Sequence, residues 1–208
     1  MSDSRCEGQE EGALTQMLLL WMEATPADRA VIEEEIRTAF EETRAIFVLD
    51  MSEFSSSVIK RGILHFLARI HEMRSVVRPV VEKHGGEIVK FIGDDVVAIF
   101  DDVDEALAAS REIRTWTQVN PPTPDREGGF RVAIGIGYGP LLHVPRYDIW
   151  GNEVNLAFKL GEDTASADEI LLTENAHDQL RDSGEEFQRL DINVSGITFV
   201  AYQDLLTG

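Results

Sequence analysis

Two short segments limit what this chain can fold into. Ile46–Asp50 (IFVLD) is an apolar run closed by a carboxylate and reads as a buried strand. Lys90–Phe100 (KFIGDDVVAIF) reads as a strand, a tight Gly-Asp turn and a second strand, which is a β-hairpin. If the hairpin lies beside the first strand, Asp50 and Asp94 stand together at one edge of a sheet. Two carboxylates without a built-in cation partner suit Mg²⁺, which prefers a few protein oxygens plus substrate phosphates. Paired metals of this kind serve in-line attack on phosphorus. The pair therefore points to phosphoryl or nucleotidyl chemistry.

Composition narrows the partners. The chain has 208 residues and a formal net charge of −19. A surface that negative repels phosphate backbones, which argues against nucleic acid and anionic membranes. A polyanionic nucleotide would need metal to be tolerated. The single cysteine, Cys6, excludes a disulfide framework and fits a reducing cytoplasm. The apolar run Met17–Met22 is far too short for membrane insertion. The acidic, polar residues before it do not resemble a signal peptide.

The residues predict three regions. Residues 1–12 read as a disordered leader, 13–45 as an N-terminal helical hairpin, and 46–208 as the body. Thr25-Pro26-Ala27-Asp28 is a helix start, and Ile32, Ile36 and Phe40 form one apolar stripe. In the body, a long helix is expected over 57–84 with Ile59, Ile63, Phe66, Leu67, Ile70 and Met73 inward. Pro79 should kink or split it, and Gly85-Gly86 should end it. The hairpin 87–100, a helix over 103–118, a strand over 130–136 and a helix over 151–160 follow. A short strand at 170–172, a helix at 173–182 and closing strands near 187–190 and 197–203 complete the chain. This order fits an α+β sheet with helices on one face.

Four segments, in order, carry a family resemblance: FVLDMSEFSS (47–56), HGGEIVKFIGDDVVAIF (84–100), RVAIGIGYGP (131–140) and YDIWGNEVNLAFKL (147–160). The last is the most specific. Together with EILLT (169–173) they resemble the class III adenylate/guanylate cyclase catalytic domain over about residues 46–205. The resemblance implies a ferredoxin-like βαββαβ fold with a mostly antiparallel sheet. It also implies an adenylate cyclase that converts ATP to cyclic AMP and pyrophosphate, as a homodimer with composite sites. By the same resemblance Asp50, Asp94 and the Met51 carbonyl would hold two Mg²⁺ or Mn²⁺. Phe54 and Ser55 would lie against the substrate. Lys90 and Asp148 would select the base, and Asn155 and Lys159 would serve the ribose and the transition state. A lysine donates and a carboxylate accepts, which matches the N1 acceptor and N6 donor of adenine.

Three positions depart from the family pattern. Lys159 stands where an arginine is usual, which keeps charge but loses the planar fork. Val194-Ser195-Gly196-Ile197 has no cation where a phosphate-gripping one is usual. Glu53 replaces a small residue. Weakening such phosphate contacts would cost ~2–4 kcal/mol of transition-state stabilisation, which implies a slow enzyme. Two rival readings remain: a catalytically degenerate, nucleotide-binding or regulatory descendant of the fold, and a cyclase acting on a pyrimidine nucleotide. The segment from Gly139 to Tyr147 is short, which implies a trimmed dimer arm. Singly, Asp50 could be a helix cap and Asp94 a turn residue. Trp150 is expected in the core. The glycines 135, 137 and 139 are not followed by a helix start and do not read as a dinucleotide loop.

Overall fold

The computed structural model describes residues 7–52, 62–122, 129–180, 186–194 and 196–206. Two helices lead, α1 (Glu7–Glu23) and α2 (Pro26–Phe40). The Thr25 hydroxyl accepts from the Asp28 amide at 3.4 Å, and Pro26 fills the first turn, where its missing N–H costs nothing. The predicted stripe is the packed one: Ile32, Ile36 and Phe40 meet Leu14 and Met17 of α1. The same cluster includes Leu142 and Val144 of the body, so the hairpin is docked on the sheet.

With no intervening loop, α2 passes into β1 (Glu41–Ser52). The strand therefore starts before Ile46. Ala45 to Leu49 are fully buried, and both faces of this strand are covered. Full burial of such aliphatic and aromatic side chains contributes roughly 1.5–3 kcal/mol each. The hairpin is as expected, with β2 (Glu87–Ile92) and β3 (Asp95–Phe100) joined at Gly93-Asp94. It is followed by α4 (Val103–Val119) and preceded by α3 (Ile63–Lys83). The long strand β4 (Arg131–Val144) turns back into β5 (Asp148–Trp150). The chain closes with α5 (Asn152–Gly161), β6 (Ile170–Thr173), the single turn α6 (Glu174–His177), β7 (Phe187–Val194) and β8 (Ile197–Asp204).

The strands form one sheet in the order β2-β3-β1-β4-β6-β8-β7, with β5 paired to β4. Every pairing is antiparallel except β4–β6. This is the α+β, mostly antiparallel architecture expected from the sequence. The long helices α3 and α4 cover one face through Met73, Val77, Val81, Ala106 and Ile113. The opposite face also carries a helix: Val154 and Ala157 of α5 pack there on Ile46, Val48, Val97 and Ile99. Gly135 permits this close approach, since a Cβ there would lie 2.2 Å from the Ala157 carbonyl oxygen.

Several local expectations change. α3 runs unbroken through Pro79. Its buried stripe is Ile70, Met73, Val77 and Val81, whereas Ile63 and Leu67 are exposed. Ile59 lies outside the described residues. Trp150 is 39% exposed and tilts against Tyr147 instead of entering the core. The arm after Gly139 is a short hairpin, its turn made by Arg146 at φ +62°.

Candidate active site

The first half of the site grows from strand register. β1 and β3 pair through Leu49 and Val96. One step further along, Asp50 stands across from Asp95, and Asp94 occupies the adjoining turn. Carboxylate oxygens of Asp50, Asp94 and Asp95 lie within 4.8 Å of one another. Asp50 and Asp95 share a side-chain hydrogen bond, which favours the proton on Asp95 and the charge on Asp50. Burial pushes the Asp50 carboxyl up, and the charge of Asp94 adds to it. Burial also raises Asp94. Asp95 is pushed up to about 7, first by burial and then by the charges of Glu162, Asp50 and Asp94.

Glu162, the C-cap of α5, lies near enough to feel the charge of this cluster. Burial raises its carboxyl first, with Asp50, Asp163 and Asp94 adding to the shift. It arrives because Gly161 lets the helix end ride on β1: a Cβ there would sit 2.9 Å from the Val48 carbonyl oxygen. Among the described residues, no lysine or arginine offsets these shifts. Half-buried, mutually repelling, all-oxygen donors are what a hard divalent cation requires, and the residues present fit one. Asp50, Asp94 and Asp95 are the side chains that could hold it. Met51 has a fully buried side chain and pairs with Val132, which leaves its backbone as its contribution near the cluster.

The second half lies on β2 and β5. A bulge between Ile88 and Lys90 resets the register, so Lys90 stands opposite Val97. Its Nζ donates to Asp148 Oδ1 at 2.6 Å. Asp148 Oδ1 also accepts from the Ile149 amide at 2.7 Å. The pair is about three-quarters buried, with side-chain exposures of 25% and 26%. Two residues far apart in sequence are thus held as one donor–acceptor unit.

Asn155 and Lys159 lie one turn apart on α5. Asn155 is exposed, and Lys159 Nζ is 3.9 Å from Asp163 Oδ2. On the inward side of the same helix, Glu153 accepts from Thr173 Oγ1 at 2.7 Å, Asn175 Nδ2 at 2.8 Å and the Tyr138 amide at 3.3 Å. These bonds tie α5 to β4, β6 and α6. Val194 at the end of β7 pairs with Ile197 at the start of β8, and Gly196 has φ +78°. Phe54, Ser55 and Glu53 lie outside the described residues, as does Ser195.

Asp95 and Glu162 join the predicted residues. The sequence does signal Asp95, because it doubles Asp94 in the turn. Glu162 has no such signal, since its position depends on how α5 docks.

No helix among the described residues is long and apolar enough to cross a membrane. An uncharacterized protein of Mycobacterium tuberculosis is 29% identical over 140 residues, which cover 67% of this chain and 35% of that protein. The chain therefore spans little more than a third of the length of the curated relatives it matches. The crystal structure of an adenylate/guanylate cyclase/hydrolase from Silicibacter pomeroyi superposes with a TM-score of 0.69 at 28% identity, covering 80% of this chain and 98% of that one. The guanylate cyclase domain from Catenaria anguillulae, in complex with GTP, gives 0.69 at 18% identity, covering 79% and 97%. Residues 38–203 match the adenylate and guanylate cyclase catalytic domain, so the chain belongs to that family.

Proposed function

We propose that this protein is an adenylate cyclase, converting ATP to cyclic AMP and pyrophosphate in a homodimer with two composite sites. The observation that carries the choice of base is the Lys90–Asp148 pair at 2.6 Å. Lys90 donates to adenine N1 and Asp148 accepts from the N6 amine. Guanine offers the reverse pattern at these edges, and the buried pair would be left unsatisfied against it.

The ribose 3′-hydroxyl releases its proton to solvent, its oxygen attacks the α-phosphorus, the bond from that phosphorus to the bridging oxygen breaks, and pyrophosphate leaves with the electron pair. Asp50 and Asp94 are the side chains that would hold divalent metal, together with the Met51 carbonyl, and Asp95 could add a further carboxylate. Bound divalent metal lowers the pKa of the 3′-hydroxyl and neutralises phosphate charge. Asn155 orients the ribose, and Lys159 supplies positive charge as charge develops on the phosphates. Lys90 and Asp94 share one hairpin yet serve opposite sites, which a two-fold dimer satisfies. Lys159 carries a flexible ammonium already near Asp163 in place of a planar fork, and the sequence at 194–197 contains no cation. Both features favour slow turnover.

The test is product formation by purified protein with ATP and Mn²⁺. Cyclic AMP and pyrophosphate should form in equal amounts and vanish in Asp50→Ala. Absence of product, or product unchanged in Asp50→Ala, would sink the proposal.

A further inference from the structure

The tip of the β2–β3 hairpin is gripped from a helix. Arg74 of α3 donates from Nη2 to the Gly93 carbonyl at 2.8 Å. Gly93 directly precedes Asp94 and adopts φ +60°, a conformation few other residues take. The Arg74 guanidinium also lies over the Phe91 ring, 4.7 Å from its centroid. Arg78, one helical turn on, lies 5.0 Å from the same centroid. Phe91 pairs with Val96 and packs into the core beneath α3, so the ring is a fixed platform for the cation.

This arrangement has a cost. Arg74 Nε is enclosed without a hydrogen-bond partner, and an unsatisfied buried donor is unfavourable. The geometry is kept in spite of it, with Nη2 aimed at one carbonyl. That carbonyl belongs to the same peptide plane as the Asp94 amide. Fixing its direction fixes where the Asp94 Cα leaves the turn. β2 is an edge strand with no neighbour on its outer side among the described residues, so the sheet gives this turn little other support. A bond from an ionised donor is roughly twice as strong as a neutral one.

We propose that Arg74 is a positioning residue for the divalent-metal site, holding Asp94 beside Asp50 by clamping the Gly93 carbonyl. The proposal rests on the reading of Asp50 and Asp94 as metal ligands. Arg74 touches neither metal nor substrate and acts through one peptide plane. Partners of this kind typically set metal affinity by 10–100-fold.

The test is Mn²⁺ binding by isothermal titration calorimetry, without nucleotide and without turnover. Arg74→Met keeps the apolar stem on Phe91 and removes the donor; it should weaken Mn²⁺ binding about tenfold. Arg78→Met removes the other cation from the same ring and should leave affinity within about twofold of wild type, since it makes no bond to the turn. Arg74→Lys, which keeps a donor, should recover most of the loss. Equal affinity in Arg74→Met and wild type overturns the proposal, as does an equal loss in Arg78→Met. A wild-type protein that binds no Mn²⁺ overturns the metal-site reading together with it.

Discussion

Asp95 joins the protonation of this site to the stability of the fold. Its carboxyl is raised from 3.8 to about 7, so the folded chain holds a proton that the unfolded chain releases near pH 4. Stability from that proton is fully present below the unfolded value and is lost as pH rises toward 7. Thermal denaturation in chelator should therefore show melting temperature falling from about pH 4 to about pH 7. Asp95→Asn should flatten the fall and stabilise the metal-free protein by about 1 kcal/mol at neutral pH, after allowance for solvent screening. At the Lys90–Asp148 pair, proposed to select the base, Asp148→Ala should lower kcat/KM for ATP about ten- to hundredfold, the loss of a charged hydrogen bond. Mn²⁺ affinity should stay unchanged, because Asp148 lies outside the metal cluster. That Asp50 and Asp94 come together was legible from the strand and hairpin patterns, and that Lys90 meets Asp148 followed only from the family resemblance, since neither residue has a local pattern of its own. Asp95 was half legible, since Gly-Asp-Asp reads as a turn until register places the second carboxylate opposite Asp50. Glu162 was not legible, because its place is set by helix docking over a glycine contact.

Among elements, the hairpin β2–β3 was readable residue by residue, since a Gly-Asp turn between two apolar runs fixes both ends. The helices were less so. Ile63 and Leu67 share the helical spacing of the buried stripe, yet the sheet beneath α3 meets only the half from Ile70 onward. β4 outran its predicted end because Tyr138 to Leu142 pair with β1 where α2 had been expected to continue. Periodicity carries no record of such long-range pairing. The glycines of β4 are explained at this scale too. Gly135, Gly137 and Gly139 alternate along one face and admit α5, with Glu153 and Ala157 against them. Gly135→Ala should destabilise the fold by about 3 kcal/mol, because the contact is with backbone and cannot yield by rotamer change. Chemical denaturation measures this. Activity should fall as well, since α5 carries Asn155 and Lys159.

For the whole molecule, the account requires two chains. The metal half and the ribose half are assigned to different protomers, so variants in the two halves should complement. Mixing Asp50→Ala with Asn155→Ala should restore about a quarter of wild-type activity, because half the dimers are mixed and each has one intact site. The net charge of −19 bears on the same scale. It opposes capture of a free polyanion, so on the proposed reading nucleotide binding should depend on divalent metal. The central claim is that Lys90 and Asp148 select adenine in a metal-dependent cyclase. Mass spectrometry of products from an equimolar mixture of the four nucleoside triphosphates with Mn²⁺ tests it most directly. The account predicts cyclic AMP as the dominant cyclic nucleotide; dominance of cyclic GMP or a pyrimidine product, or no cyclic product at all, would contradict it.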